Sequence, residues 1–370
     1  MPIRAAWQTL APRLPPGLLP RSGGTPLPLP PGQQQQDFLC VGGYTEEEGG
    51  QARAPTGEAL AVRLWGSPPV ARLPPTGPAP PPRLASAGAT VGSTAWIIGG
   101  WDPGTRGDGG VILDDLWSAD LTPDPGGGGA LAWTPHPAAP LPGGPASRHA
   151  AAPLGDGRIL VLTHRCGERL LVLDVSQPGA PAWSSLAATP DAGGAGFPSS
   201  RGLASLVALP SACEDGSTTL LLFGGAPRRG GMEADLWRLR VRGPAAAWER
   251  VGPPAPGGSG PASAAAPWPP ARCSHVAAAA PGGMVVWGGS FYHTAGTGGL
   301  VARGDAWWWD EGTGAWSALE CDGGDPPPLP RNAAAAAAVT GPDGRAGVLV
   351  SGGWDPFRVT FGDTAVLWLG

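Results

Sequence analysis

The sequence predicts an all-β protein made of six copies of a small four-stranded antiparallel sheet. Gly and Pro supply 62 and 48 of the 370 residues, which indicates many turns. Hydrophobic residues still make up 42% of the chain and include 17 Trp, far more apolar mass than a disordered chain carries. A diglycine also recurs along the chain at a regular interval. Short apolar strands joined by Gly/Pro turns satisfy all three observations.

The diglycine interval sets the number of copies. Its second glycine falls at Gly43, Gly100, Gly225, Gly289 and Gly353, at intervals of 57, 125, 64 and 64 residues. The interval of 125 is two periods, which predicts a degenerate copy near residue 164. Thr163-His164 follows an apolar run at that place and replaces the glycines. Six copies therefore fill the chain.

Each copy predicts four strands in a fixed order. The first strand follows an Arg and carries small side chains. The fourth begins at a Trp with an apolar residue three positions later, except that Val70 replaces the Trp in the first copy and His136 replaces the apolar residue in the second. The second is a continuous apolar run, as expected for a strand buried on both faces: Phe38–Val41, Trp96–Ile98, Ile159–Leu162, Leu220–Phe223, Met284–Trp287 and Val348–Val350. The third is amphipathic and often opens with Asp: Leu60–Trp65, Asp115–Leu121, Leu170–Val175, Asp235–Val241, Asp305–Asp310 and Asp363–Leu369.

Two alanine runs compete with this scheme. Ala277–Ala280 and Ala333–Ala338 favour a helix on propensity alone. Both follow the recurring Arg, where other copies also hold small residues. We therefore predict the innermost strand, because small side chains suit a place where neighbouring sheets crowd together.

The order Arg, apolar run, Gly-Gly, Asp-aromatic, Trp resembles the kelch repeat of the galactose oxidase/kelch-type superfamily. The resemblance covers nearly the whole chain and implies a six-bladed kelch-type β-propeller, with four antiparallel strands per blade in one domain, residues 1–370. The expected blades are 21–73, 83–136, 148–186, 201–251, 272–319, and 331–370 with 7–10. The structural motif residues are Gly42, Gly43, Gly99, Gly100, Gly224, Gly225, Gly288, Gly289, Gly352 and Gly353, with Trp7, Trp133, Trp183, Trp248 and Trp316.

The N-terminus predicts how such a ring would close. The sixth copy stops at Gly370, directly after its third strand, and lacks a fourth-strand Trp. Trp7 and Leu10 have the fourth-strand spacing, and Arg21 follows Trp7 after 14 residues, against 15 from Trp316 to Arg331. Residues 7–10 are therefore expected to complete the last blade, because an open sheet edge would leave backbone groups unpaired.

Composition argues against several classes of function. The net charge is −5 and no basic run is interleaved with aromatics, so nucleic-acid binding is not indicated. No apolar run reaches the length of a membrane span. Five scattered cysteines without a CxxC indicate neither a disulfide framework nor a zinc site, which favours a cytoplasmic location. The acid-free N-terminus with Arg4, Arg13 and Arg21 leaves an organelle-targeting interpretation open.

Six arginines at equivalent places in the copies are the binding candidates: Arg21, Arg83, Arg148, Arg201, Arg272 and Arg331. Kelch domains that act as substrate adaptors hold acidic peptides with arginines at similar places, and guanidinium groups bind carboxylates in a bidentate manner. The competing interpretation is structural. The same arginines would then tie backbone carbonyls to nearby acids such as Asp115, Asp235 and Asp305.

The remaining candidates give no catalytic constellation. His149 and His275 follow the arginines, His164 and Cys166 could form part of a metal site, and Tyr292-His293 follows a diglycine. No metal site, cofactor or catalytic residue is assigned. We expect a monomeric interaction scaffold for an unknown protein partner, with an acidic peptide segment as the expected ligand. The alternative is a copper- or iron-dependent enzyme on the same scaffold, which metal analysis of the purified chain would distinguish.

Overall fold

The computed structural model describes residues 4–29, 37–46, 53–104, 109–121, 129–164, 167–210, 215–228, 231–252, 267–292, 299–356 and 358–370. Within these ranges the chain forms strands, turns and bends but no helix, so the predicted all-β class is confirmed. No helix suited to crossing a membrane is therefore found in the described ranges.

The strands are short and follow one another closely along the chain. In the first half they are β1 (Arg4–Ala11), β2 (Arg21–Ser22), β3 (Thr25–Pro28), β4 (Asp37–Val41), β5 (Tyr44–Glu46), β6 (Arg53–Pro55), β7 (Ala59–Arg63), β8 (Val70–Leu73), β9 (Ala87–Val91), β10 (Thr94–Asp102), β11 (Val111–Asp120), β12 (Trp133–Pro135), β13 (Ala150–Pro153), β14 (Arg158–Leu162), β15 (Arg169–Asp174) and β16 (Ala182–Thr189). In the second half they are β17 (Arg201–Gly202), β18 (Ser205–Ala208), β19 (Thr218–Phe223), β20 (Ala226–Pro227), β21 (Leu236–Arg242), β22 (Ala245–Gly252), β23 (Val276–Ala280), β24 (Gly283–Trp287), β25 (Ser290–Tyr292), β26 (Leu300–Ala302), β27 (Ala306–Asp310), β28 (Ala315–Ala318), β29 (Glu320–Gly324), β30 (Ala335–Thr340), β31 (Ala346–Ser351), β32 (Trp354–Asp355), β33 (Val359–Thr360) and β34 (Thr364–Leu369).

Most of the longer strands fall into groups of four antiparallel neighbours. Three groups are separate sheets: β3-β4-β7-β8, β9-β10-β11-β12 and β23-β24-β27-β28. An eight-stranded sheet holds two more, β13-β14-β15-β16 and β18-β19-β21-β22, joined where β16 and β22 run parallel. The last group, β30-β31-β34-β1, lies within a five-stranded sheet. We call these groups units 1 to 6 in chain order of their first strands.

The N-terminal strand β1 completes unit 6. It pairs antiparallel with β34, with Ala5 opposite Leu369 and Gln8 opposite Val366, as the spacing of Trp7 and Leu10 predicts. Its other edge pairs in parallel with β29, which begins at Glu320 directly after unit 5. This fifth strand was not expected, and it makes β1 an interior strand.

Both alanine runs form strands, as predicted. In β23 and in the first half of β30, buried side chains alternate with half-buried ones. Neighbouring first strands also contact one another around the molecule, from β3 to β9, β13, β18, β23, β30 and back to β3. Alanine fits this close approach because a larger side chain would separate the strands.

The apolar cores lie between neighbouring units. Six clusters of buried side chains are each drawn mainly from two units, in the pairs 1–2, 2–3, 3–4, 4–5, 5–6 and 6–1. Fourth-strand Trp residues take part: Trp7 of unit 6 packs edge-on against Trp287 of unit 5, with ring centroids 5.1 Å apart. Each unit is therefore stabilised chiefly by its neighbours.

One end of the units carries the longer connections. The second strands run toward this end. They finish at the diglycine in four of the six units, and in unit 2 β10 continues through its diglycine to Asp102. Small hairpins such as β5-β6, β25-β26 and β32-β33 follow. The connection from the fourth strand of one unit to the first strand of the next also ends at this end of the units. Its last residue is an Arg, as in Arg83 and Arg272, and the side chain of that Arg donates to the carbonyl of the first diglycine residue. We call this end the hairpin face and the opposite end the turn face.

Candidate functional site

Arg83 shows what the recurring arginine does. Its side chain is fully buried, and Nη1 donates to the Gly99 carbonyl at 2.9 Å. Nη1 and Nη2 also donate to the two carboxylate oxygens of Asp115, at 2.8 and 2.6 Å. Nε donates to the carbonyl of Pro81 at 3.1 Å. We call this arrangement of Arg, diglycine carbonyl and acid the arginine clamp.

Four more units contain the clamp. Arg201 pairs with Asp235, Arg272 with Asp305, Arg331 with Asp363, and Arg21 with Glu58. In each, the Arg is buried and Nη1 donates to the carbonyl of the first diglycine residue. These five guanidinium groups are engaged within the protein, which is the structural interpretation of the repeated Arg.

Arg148 does not belong to this set, and its expected equivalence to the other five is wrong. In four other units the second Gly of the diglycine donates its N–H to the carbonyl of the next unit's clamp Arg, as Gly43 does to Arg83 at 2.7 Å. In unit 2 the acceptor of Gly100 N–H is Ala146, at 2.9 Å. Arg148 therefore lies two residues beyond the clamp position.

Unit 3 has lost all members of the clamp together. Ala146 replaces the Arg, and Thr163 replaces the first Gly. Extending the pairing of β14 with β15 by two residues places Arg169 opposite Thr163, which is the position of the acid in the other units. Arg169 is exposed. A carboxylate left without its Arg, or an Arg without its carboxylate, would be costly when buried. Joint loss of the set avoids this cost.

Arg148 instead belongs to a cycle of six backbone hydrogen bonds that links all six units. Each residue donates its N–H to the carbonyl of the residue in the preceding unit: Gly23 to Ala333 (2.8 Å), Ala85 to Gly23 (3.1 Å), Arg148 to Ala85 (2.7 Å), Leu203 to Arg148 (2.8 Å), Ser274 to Leu203 (2.9 Å) and Ala333 to Ser274 (2.8 Å). All six residues have positive φ, between 52° and 67°. We call this the backbone ring.

The side chains on the backbone ring are small at most positions. The members are Gly, two Ala, Ser, Leu and Arg148, and Arg148 is exposed. Within the described ranges the Arg148 side chain makes no hydrogen bond, ion pair or ring stacking. A free guanidinium therefore stands among the first strands, next to the hairpin face.

The two histidines after the Arg positions are equivalent, and His149 is buried while His275 is half-buried. His149 is three residues beyond Ala146, and His275 is three beyond Arg272. Burial lowers the pKa of His149 to about 4. Burial, with the charge of Arg272, lowers the pKa of His275 to about 3, and its Nε2 lies 2.9 Å from the Ser205 hydroxyl. Neutral, packed side chains fit the structural interpretation of both.

An alignment of the copies on these two histidines places Ala146, not Arg148, at the position of the recurring Arg in unit 3. His275 follows Arg272 by three positions, whereas His149 follows Arg148 directly. In unit 3 the His indicates the register and the Arg does not, because Ala146 stands at the clamp position there.

The motif Trp residues are buried at Trp7, Trp133, Trp248 and Trp316 and half-buried at Trp183, whose Nε1 donates to the Ala139 carbonyl at 3.1 Å. The diglycines adopt positive φ at both positions in all five copies. At Gly42 an added Cβ would lie 2.4 Å from the Arg83 carbonyl oxygen. These Trp side chains are therefore packed at least in part, and the backbone of the diglycines requires Gly.

The metal-site candidates fall partly outside the described ranges. Cys166 and His293 both lie there, so neither of the two pairs is tested. Across the described ranges, no group of three or more His, Cys, Asp or Glu side chains could share a metal ion. Burial raises the pKa of the Cys273 thiol beside Arg272.

No protein-family model matches the chain, and no curated protein is detectably similar to it in sequence.

Proposed function

We propose that the chain is a six-bladed kelch-type β-propeller that works as a protein-interaction scaffold and binds an acidic segment of its partner at Arg148. The cyclic order of the six clusters, the pairing of β1 with β34 and the backbone ring support six blades closed by the N-terminal strand. The repeated clamp and diglycine support the kelch-type blade.

The functional proposal rests on which of the six guanidinium groups are buried and which is exposed. Five guanidinium groups are buried in clamps, so their charge and donors are used inside the protein. Arg148 is exposed and keeps its donors for a ligand. A carboxylate is the natural acceptor, because a guanidinium binds one through two parallel hydrogen bonds.

The distribution of exposed apolar side chains supports the hairpin face as the docking side. Of the eight exposed large apolar side chains in the described ranges, seven lie in the hairpins or in the connections that end at a clamp Arg. These seven are Leu19, Val111, Ile112, Tyr292, Val301, Leu329 and Val359. Trp65 lies on the turn face, beyond the end of β7. Exposed apolar residues concentrated on one side mark an interaction surface.

A peptide selection tests the proposal. A random dodecapeptide library displayed on phage would be selected on the immobilised full chain and then tested on two variants. We expect the recovered peptides to be rich in Asp and Glu. They should bind the Arg148→Ala variant at least tenfold more weakly than the natural chain, because losing one charged, hydrogen-bonded pair reduces the binding free energy by about 1.4 kcal/mol. Arg242→Ala, which removes an exposed Arg of the turn face, is the matched control and should bind as the natural chain does.

Two results would overturn the proposal. One is a peptide set without acidic enrichment. The other is acidic peptides that bind Arg148→Ala and the unaltered chain equally well while both melt at the same temperature.

A further inference from the structure

The segment from Asp325 to Arg331 has an unusual pattern of burial. Its sequence is Asp-Pro-Pro-Pro-Leu-Pro-Arg, and it leads from β29 into the first strand of unit 6. Pro326, Pro327 and Pro330 are exposed, and Leu329 is 64% exposed, the highest value among the large apolar side chains described. An ordered stretch that presents this much apolar surface requires an explanation beyond connecting two strands.

Proline fixes the conformation of this segment. Four of its seven residues are Pro, each with φ held near −65°. Asp325, Pro326, Pro327 and Leu329 each precede a Pro, which disfavours the helical region and favours extended backbone. Both restraints favour the left-handed polyproline II conformation, which has three residues per turn.

The residues of this segment that contact the rest of the protein recur every three positions. Asp325 is anchored: its Oδ2 accepts the Thr9 N–H at 2.7 Å, and its own N–H donates to the Trp7 carbonyl at 2.8 Å. Three residues later Pro328 is half-buried, and three later again Arg331 is buried in its clamp. One edge of the helix thus faces the protein. The other two edges, Pro326 with Leu329 and Pro327 with Pro330, face outward.

We propose that residues 325–331 are a ligand for a small recognition domain whose groove is lined by Trp and Tyr rings, of the SH3, WW or EVH1 type. Such domains bind preformed polyproline II helices by seating side chains from exposed edges between aromatic rings. Because the segment is already held at both ends, binding costs little conformational entropy. The exposed acids Glu320 and Asp322 precede the segment, so a groove with basic residues at one end fits it best. This site is separate from Arg148 and does not depend on the function proposed for it.

A panel of purified SH3, WW and EVH1-type domains, each fluorescently labelled and titrated with the full chain, tests the proposal by anisotropy. We expect at least one domain to bind, and to bind the Leu329→Ala and Pro327→Ala variants about tenfold more weakly. Both substituted side chains are exposed, so the melting temperature should not change. Pro82→Ala is the matched control: Pro82 is also exposed and also precedes a clamp Arg, but lies in another connection.

The proposal is overturned if no domain of the panel binds the full chain. It is also overturned if a domain binds Leu329→Ala and Pro327→Ala as tightly as the natural chain, or if Pro82→Ala weakens binding to the same extent.

Discussion

Arginine has two separate roles in this molecule, and burial distinguishes them. Arg83 is fully buried and its guanidinium is engaged by one carboxylate and two carbonyls. Arg148 is exposed and contributes only its backbone to the structure. A sequence motif that contains Arg therefore does not by itself indicate which of its copies is available to a ligand.

Removing a clamp guanidinium should destabilise the whole protein. We expect Arg83→Ala to lower the free energy of unfolding by about 3 kcal/mol, because it leaves the Asp115 carboxylate and the Gly99 carbonyl without their donor. Urea unfolding followed by Trp fluorescence measures this. Arg148→Ala should unfold at the same urea concentration as the natural chain, and an equal loss in both variants would contradict the assignment.

The buried His149 and the half-buried His275 should make stability depend on pH. Their folded-state pKa values, about 4 for His149 and about 3 for His275, lie below the ordinary value of 6.5. The unfolded state therefore takes up protons first as pH falls. Their stabilising contribution is complete above about pH 6.5 and declines below it, by up to about 1.4 kcal/mol per pH unit for each histidine.

Urea midpoints at about pH 7, 6 and 5 would check this slope. His275→Gln removes one titrating group and should make the decline shallower while keeping a polar group near Ser205. A variant with an unchanged slope would show that His275 does not titrate on unfolding.

At the scale of single elements, β1 joins the N-terminal part of the chain to the last unit. It lies between β34 and β29 and buries Trp7 against Trp287. Its loss would leave two strand edges unpaired and open the cluster between units 5 and 6.

Removal of residues 1–12 should therefore lower the free energy of unfolding by more than about 3 kcal/mol, the lower end of the loss for one buried Trp. Differential scanning calorimetry and dye binding to exposed apolar surface would detect it. Trp7→Ala in the full chain is the milder comparison. Equal melting temperatures for the truncated and natural chains would contradict the role of β1.

The sequence predicted β1 but not β29, and the reason is physical. Trp7 and Leu10 carry a side-chain pattern that matches other fourth strands. The segment Glu320–Gly324 has no apolar alternation and is exposed throughout, so its parallel pairing rests on backbone hydrogen bonds that no side-chain pattern reports. The diglycines and the clamp acids Asp115, Asp235 and Asp305 were likewise predictable. Glu58 was not, because the third strand of unit 1 does not open with Asp, and the unpaired Arg148 side chain was not, because unit 3 lacks every member of the clamp.

For the molecule as a whole, the junction between units 6 and 1 resembles the others. Gly353 N–H donates to the Arg21 carbonyl at 2.9 Å. At three other junctions, the N–H of the second diglycine residue likewise donates to the carbonyl of the clamp Arg in the next unit. On the hairpin face, the Arg53 guanidinium lies over both the Tyr44 and Trp354 rings, at 4.7 and 4.8 Å. The chain ends are also adjacent, since Gly370 N–H donates to the Arg4 carbonyl at 2.8 Å.

A circular permutant tests this equivalence. Joining residue 370 to residue 4 by a short glycine linker and opening the chain between Gly77 and Pro78, both exposed, should give a folded protein with the same circular dichroism and a melting temperature within about 5 °C. New ends between Trp96 and Ile97, in a buried second strand, should prevent folding. Failure of the first permutant would show that the 6–1 junction has a role the others lack.

The backbone ring also ties the six first strands to one another just before each of them begins. Each of its six links is a main-chain hydrogen bond worth about 1 kcal/mol net, and each ring residue holds a φ that the surrounding strands impose. Moving two neighbouring first strands apart at one link would break that bond and work against their packing. The backbone of the ring is therefore stiff, whereas the side chain that a ring residue carries can vary without breaking any link.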